Sequence, residues 1–133
     1  MNILVVDAQG GGIGKQLVSS IKKNMPKAVI TAVGTNSAAT SAMLKAGADN
    51  AATGENAVIV NSRKADVIIG PIGIVIADAL LGEITPLMAN AIAQSNAKRL
   101  LIPINSCNNI VVGVNDLNVG KLIQDVICEL QKI

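Results

Sequence analysis

The chain has 133 residues, the size of one domain, with half of its residues hydrophobic, only 15% charged and a net charge of +2. It contains no His, Trp, Tyr or Phe, which excludes His-based triads, His-ligated metal and aromatic platforms for bases or flavins. Its Lys and Arg residues are scattered, so no nucleic-acid footprint is expected.

Asn2–Asp7 is a β-branched run ending in an acid and reads as a central parallel strand. The loop Ala8-Gln9-Gly10-Gly11-Gly12-Ile13-Gly14-Lys15 leads into a helix with Ile13, Leu17 and Ile21 on one face, stopping before Pro26. Ala28–Val33 is the second strand. Gly34-Thr35-Asn36 ends it, with Thr35 or Asn36 capping a helix to Ala46 and Gly47 as its stop. A short third strand is expected from Asp49 to Thr53. Thr53-Gly54-Glu55-Asn56 then opens a helix to Lys64; Val58–Val60 could instead pair with Val67–Ile69 as a hairpin. The helix is preferred because a parallel sheet needs a crossover there.

The fourth strand, Asp66–Ile69, ends at Gly70-Pro71-Ile72-Gly73. A buried helix is predicted from Ile74 to Leu81, and Thr85-Pro86 starts another to Ser95. Lys98–Pro103 is the fifth strand, Asn105–Asn109 a turn, Ile110–Val114 a sixth, edge strand. Asn118 caps a last helix lined by Val119, Leu122, Val126 and Leu130. Cys128 reads as core, and Cys107 as a candidate reactive thiol in a polar turn. The alternation predicts one α/β domain over residues 1–133. It is a three-layer, Rossmann-like sandwich with parallel strand order 3-2-1-4-5 and an added edge strand.

Ligands of such sheets bind beyond the carboxyl ends of the strands. The candidate site therefore joins Asp7, Gln9, Gly10, Gly11, Gly12, Ile13, Gly14 and Lys15 of the first loop. From later loops it takes Gly34, Thr35, Asn36, Thr53, Gly54, Gly70, Pro71 and Gly73. Glycines let backbone amides approach an anion, and a lysine in the first helical turn opposes the helix dipole unless an anion is present. A nucleotide or phosphometabolite is the expected ligand. Asp7 is read either as a loop-capping acid or as a group orienting a ribose, a metal or a lysine. Glu83 is read as complementing the dipole of the Thr85-Pro86 helix. Glu55 is read likewise, and a carboxylate there would repel a phosphate.

Gly12-Ile13-Gly14 resembles the end of the short-chain dehydrogenase fingerprint, but Ala8 stands at its first glycine and the family's Tyr is impossible here. Gly11-Gly12-Ile13-Gly14-Lys15 resembles the deviant Walker A motif of partition-type ATPases, with Gln16 in place of the magnesium-binding hydroxyl. Gly34-Thr35-Asn36 and Thr53-Gly54-Glu55 loosely resemble the phosphate loops of methylglyoxal-synthase-like domains, whose catalytic aspartate and histidine have no counterparts. Over nearly its full length the chain resembles a short bacterial family carrying only a domain-of-unknown-function label. The matching segments are Asp7–Lys15, Gly34-Thr35-Asn36, Ala46-Gly47-Ala48 through Ala57, Gly70–Gly73 and Leu81–Pro86. That resemblance implies a bacterial cytoplasmic protein and lends no activity.

The leading expectation is a small-molecule binding protein. The rivals are a structural or assembly subunit without a ligand and a P-loop-like nucleotide hydrolase. No leader peptide is expected, and the apolar run from Val67 to Ala77 is too short and too broken to span a bilayer. The surplus of apolar residues, densest from Ile72 to Leu81, predicts a homodimer or higher homo-oligomer.

Overall fold

Ile3, Leu4, Val5 and Val6 are at most 1% exposed, as residues of a strand covered on both faces must be. The computed structural model describes residues 1–104, 108–114 and 118–133. Strands β1 (Asn2–Asp7), β2 (Val29–Gly34), β3 (Asn50–Thr53), β4 (Val67–Pro71) and β5 (Lys98–Ile102) form one parallel sheet, ordered β3-β2-β1-β4-β5. This is the expected Rossmann-like α/β architecture.

Side chains alternate between the two faces with the period of the strand. Ile3 and Val5 join a core with Leu17 and Ile21 of α1 (Gly12–Asn24), Met43 of α2 (Ser37–Lys45) and Ile127 of α5 (Val119–Gln131). Leu4 and Val6 join the opposite core. Val58 of α3 (Glu55–Ser62), Ile74 of a 3-10 turn (Ile72–Val75) and Met88 and Ile92 of α4 (Pro86–Gln94) complete it. Residues 55–62 are therefore helix, as the parallel crossover requires. Asn36 caps α2 through the Ala39 amide at 2.9 Å, and Thr85 caps α4 through the Met88 amide at 3.2 Å. The last turn of α1 is tied to the start of β3 by the Lys22–Asp49 ion pair.

Four expectations are corrected or fall outside the description. No sixth strand forms over Ile110–Val114. Gly113 adopts φ +88°, Val114 closes a turn onto Val111, and Ile110 and Val112 are 90% and 92% exposed. A left-handed glycine breaks the extended run. The predicted helix Ile74–Leu81 is a 3-10 turn followed by a tight loop, in which Asp78, Leu80 and Leu81 all have positive φ. Ile74 and Leu80 enter the core whereas Leu81 is 95% exposed, so the segment is not a helix apolar all round. Cys128 is exposed. The buried stripe of α5 is Ile123, Val126, Ile127 and Leu130, and position 128 falls outside it. Val119 and Leu122 are only partly buried. Cys107 and its neighbours 105–106 lie outside the described residues.

Candidate functional site

Parallel register sets the ends of three strands in one row. Asp7 pairs with Gly34, and Gly34 with Thr53, across the carboxyl edge of β1, β2 and β3. Beyond this row the loop 8–11 turns into α1. The buried Asp7 carboxylate accepts the Ala8 amide at 2.8 Å and the Gly14 amide at 2.7 Å, so it caps α1 from below. Burial pushes the Asp7 carboxyl above its ordinary range. The Gly14 and Ala8 amides pull the other way, and the charge of Glu83 adds to the rise.

The loop glycines divide into two kinds. Gly11 turns at φ +73° and a Cβ there would meet the Ala39 backbone at 2.9 Å; a Cβ on Gly14 would meet Met43 Sδ at 2.5 Å. These two serve close packing. A Cβ on Gly10 or Gly12 would meet nothing within 4 Å. The backbone amides of Gly10, Gly12 and Ile13 find no acceptor among the described residues. Lys15 stands exposed in the first turn of α1.

A residue placed elsewhere by its sequence context completes the rim. Oε1 of Glu83 accepts the Thr35 hydroxyl at 2.6 Å, the Asn36 side-chain amide at 2.8 Å and the Gln9 backbone amide at 3.0 Å. The Thr35 hydroxyl is the main reason that the Glu83 carboxyl lies below its ordinary range, with the Gln9 and Asn36 donors adding to it against desolvation. Asn36 also donates to the Gln9 carbonyl at 2.9 Å, and the Thr35 amide donates to the Asp7 carbonyl at 3.1 Å. Glu83 therefore does not serve the α4 terminus. The Thr85 hydroxyl there donates instead to Glu55, at 2.5 Å. Only the donor-rich corner Thr35-Asn36 hinted that an anionic oxygen belongs on this rim.

The remaining candidates frame the site. The Thr53 hydroxyl bonds that of Thr40 at 2.7 Å, and the Gly54 amide donates to the Gly34 carbonyl at 2.9 Å. A Cβ on Gly34 would meet the Thr40 amide nitrogen at 2.5 Å, and one on Gly70 the Val6 carbonyl at 2.4 Å. Pro71 pairs with Ile102 in the sheet, and Gly73 lies against Ala79 and Leu80. Gln9, Thr35, Asn36 and Asp7 are thus joined directly, while Gly34, Thr53, Gly54, Gly70, Pro71 and Gly73 shape the edge around them. A shallow groove of about 480 Å³ runs from Lys15 and Gln16 past Ser19 to Gly120 and Gln124. Another cleft, about 380 Å³, opens at the opposite end of the sheet beside Asn2, Thr31 and Asn50. Among the described residues no group of three His, Cys, Asp or Glu gathers to hold a metal, and no helix is long and apolar enough to cross a membrane.

A family model described as a domain of unknown function (DUF3842) matches residues 2–133. No curated protein matches the chain. Among solved structures the chain is similar to a dodecameric FMN-dependent UbiX-like decarboxylase from Escherichia coli O157:H7. The identity is 17% and the TM-score 0.47, over 99% of this chain and 75% of that one.

Proposed function

The chain belongs to the domain-of-unknown-function family DUF3842, and within it we propose a protein that binds a small phosphate- or nucleotide-bearing ligand at the glycine loop after β1. The observation that carries this reading is the pair of open glycines. Gly10 and Gly12 leave the amides at the start of a 13-residue helix bare, without any packing need for glycine there. Such amides at a helix N-terminus favour an anion, and the exposed Lys15 adds a full positive charge in the same turn. The adjacent corner supports the reading: its donors already surround one anionic oxygen, that of Glu83.

The assembly-subunit rival accounts for Gly11, Gly14, Gly34 and Gly70, whose absent side chains permit close packing, but gives Gly10 and Gly12 no reason. The hydrolase rival is weakened at Gln16, whose side chain donates to the Gly12 carbonyl at 3.2 Å and offers no hydroxyl for magnesium. Asp7 holds two backbone amides, so it acts as the loop's own cap and not as a ribose ligand. The proposal is one of binding and assigns no reaction.

Isothermal titration calorimetry against a panel of nucleotides and sugar phosphates tests it. Binding of at least one member, lost in Gly12→Val, is the expected result. A folded protein that binds none of them, or binds one equally well in Gly12→Val, overturns it.

A further inference from the structure

We propose that Glu83 is a built-in occupant of the rim's anion position, carried by a strained loop, and that an incoming phosphate displaces it. The inference rests on the binding reading above and adds a competitor inside the chain.

Two segments supply the three donors to Glu83 Oε1: the glycine loop through the Gln9 amide, and the corner after β2 through Thr35 and Asn36. All three are neutral N–H or O–H groups, and no ion pair to Glu83 exists among the described residues. Neutral donors converging on one oxygen suit a phosphate oxygen as well as a carboxylate. A phosphate on the same rim would bring further oxygens to the bare amides of Gly10, Gly12 and Ile13.

The loop that carries Glu83 is held in an unusual shape. Leu80, Leu81 and Gly82 follow one another at φ +57°, +59° and +85°, after Asp78 at +66°. Non-glycine residues in this region are strained and persist only where their surroundings over-determine them. Here the Asp78 amide bonds the Ile84 carbonyl at 2.8 Å, the Ile84 amide bonds the Ala79 carbonyl at 3.2 Å, and Glu83 fastens the tip to the rim. Ala79, Leu80 and Ile84 are anchored in the core, whereas Leu81 is exposed. Releasing Glu83 removes the rim fastening and leaves that anchor in place, so the loop can swing without unfolding the domain. A ligand that must first expel Glu83 binds with an affinity reduced by the fraction of molecules in the open form.

Calorimetry with inorganic pyrophosphate on the full chain tests this, with Glu83→Ala and the shape-conserving Glu83→Gln beside the wild type. A closed form populated at 90–99% predicts roughly 10–100-fold tighter binding in Glu83→Ala and a smaller gain in Glu83→Gln. Saturating pyrophosphate should also speed hydrogen exchange at the Gly82 and Glu83 amides of the wild type, which bond the Asp78 and Leu80 carbonyls at the loop's tip. Pyrophosphate binding seen only in the Glu83 variants, beside wild-type binding of a member of the nucleotide and sugar-phosphate panel, supports the proposal as well. Equal or weaker binding in both folded variants, with exchange unchanged in the wild type, overturns it. The binding reading then still stands if the wild type binds and Gly12→Val does not. Absence of pyrophosphate binding in all three proteins overturns the occupant proposal. If the nucleotide and sugar-phosphate panel also fails, the binding reading falls with it.

Discussion

The Asp7 carboxylate accepts the Gly14 amide at 2.7 Å, which closes the glycine loop onto the protein's own acid. Gly14 is the third residue of α1, so its amide is one of those that no helical carbonyl can satisfy. Asp7 therefore does for α1 what an N-cap side chain does elsewhere, from the end of the preceding strand. Gly12 and Ile13 are left as the open amides of this terminus.

Replacing Asp7 by Asn should destabilise the fold by about 1–3 kcal/mol, because a carboxamide offers one acceptor where two backbone amides need one each. Part of that loss is offset by removing a buried charge. The raised carboxyl fixes the sign of the pH effect. Its contribution to stability is fully present below the ordinary value of 3.8 and is lost as pH rises through the higher folded value. Urea unfolding of both proteins from pH 3 to pH 7 checks both points: the deficit of Asp7→Asn should be largest at the acid end.

The two kinds of glycine should answer mutation differently. Gly14→Ala drives a Cβ to within 2.5 Å of the fully buried Met43 sulfur and 2.9 Å of Asp7 Cβ, an overpacking that costs about 1–3 kcal/mol. Gly12→Val enters open space and should unfold at nearly the wild-type urea concentration while losing the ligand. Lys15→Ala should keep the fold and weaken binding by about 1.5–3 kcal/mol, the range of a charge-assisted contact. A Gly12→Val protein as unstable as Gly14→Ala would contradict the division.

Glu83 has the opposite pH sign to Asp7. Its carboxyl is held below the ordinary value of 4.5, so its contribution is present above that value and is lost as pH falls through the folded one. Protonated Glu83 resembles Gln in shape and charge. The stability difference between wild type and Glu83→Gln should therefore be constant near neutral pH and shrink only below about pH 4.5. Urea midpoints at pH 7 and pH 3.5 measure it; the same difference at both would show that the carboxylate gains nothing from its three donors.

The sheet was legible because β1, β2 and β4 are short β-branched runs, because helices alternate with the strands, and because the crossovers have one allowed hand, which left the order 3-2-1-4-5 as the natural arrangement. Asn36 and Thr85 were legible as caps for a local reason: each lies three residues before the amide it satisfies. Glu83 was not, since Gln9 lies 74 residues away and the contact depends on the left-handed Leu80 and Leu81, a conformation leucine does not advertise. The β-branched Ile110–Val112 concealed a turn set by Gly113. Cys128 was misplaced because three apolar neighbours were read without the phase of the helix, which buries 123, 126, 127 and 130.

Leu80 and Leu81 give the last test, because they share a backbone conformation and differ in burial. Both have φ near +58°, but Leu80 is 5% exposed and Leu81 95%. A left-handed leucine carries roughly 1–2 kcal/mol of steric cost, which glycine removes, at some loss through the freer unfolded chain. The Leu81 side chain buries almost nothing, so Leu81→Gly should stabilise the protein by about 0.5–1 kcal/mol. Leu80→Gly relieves the same strain but empties a core position, and should destabilise by about 2–5 kcal/mol. The gain in Leu81→Gly belongs to the closed loop, so this variant should also bind pyrophosphate more weakly than wild type, the reverse of Glu83→Ala. Urea denaturation and calorimetry on the same preparations decide it: a destabilised Leu81→Gly would mean that the loop's left-handed turn is not strained, and tighter pyrophosphate binding would mean that its closure does not oppose the ligand.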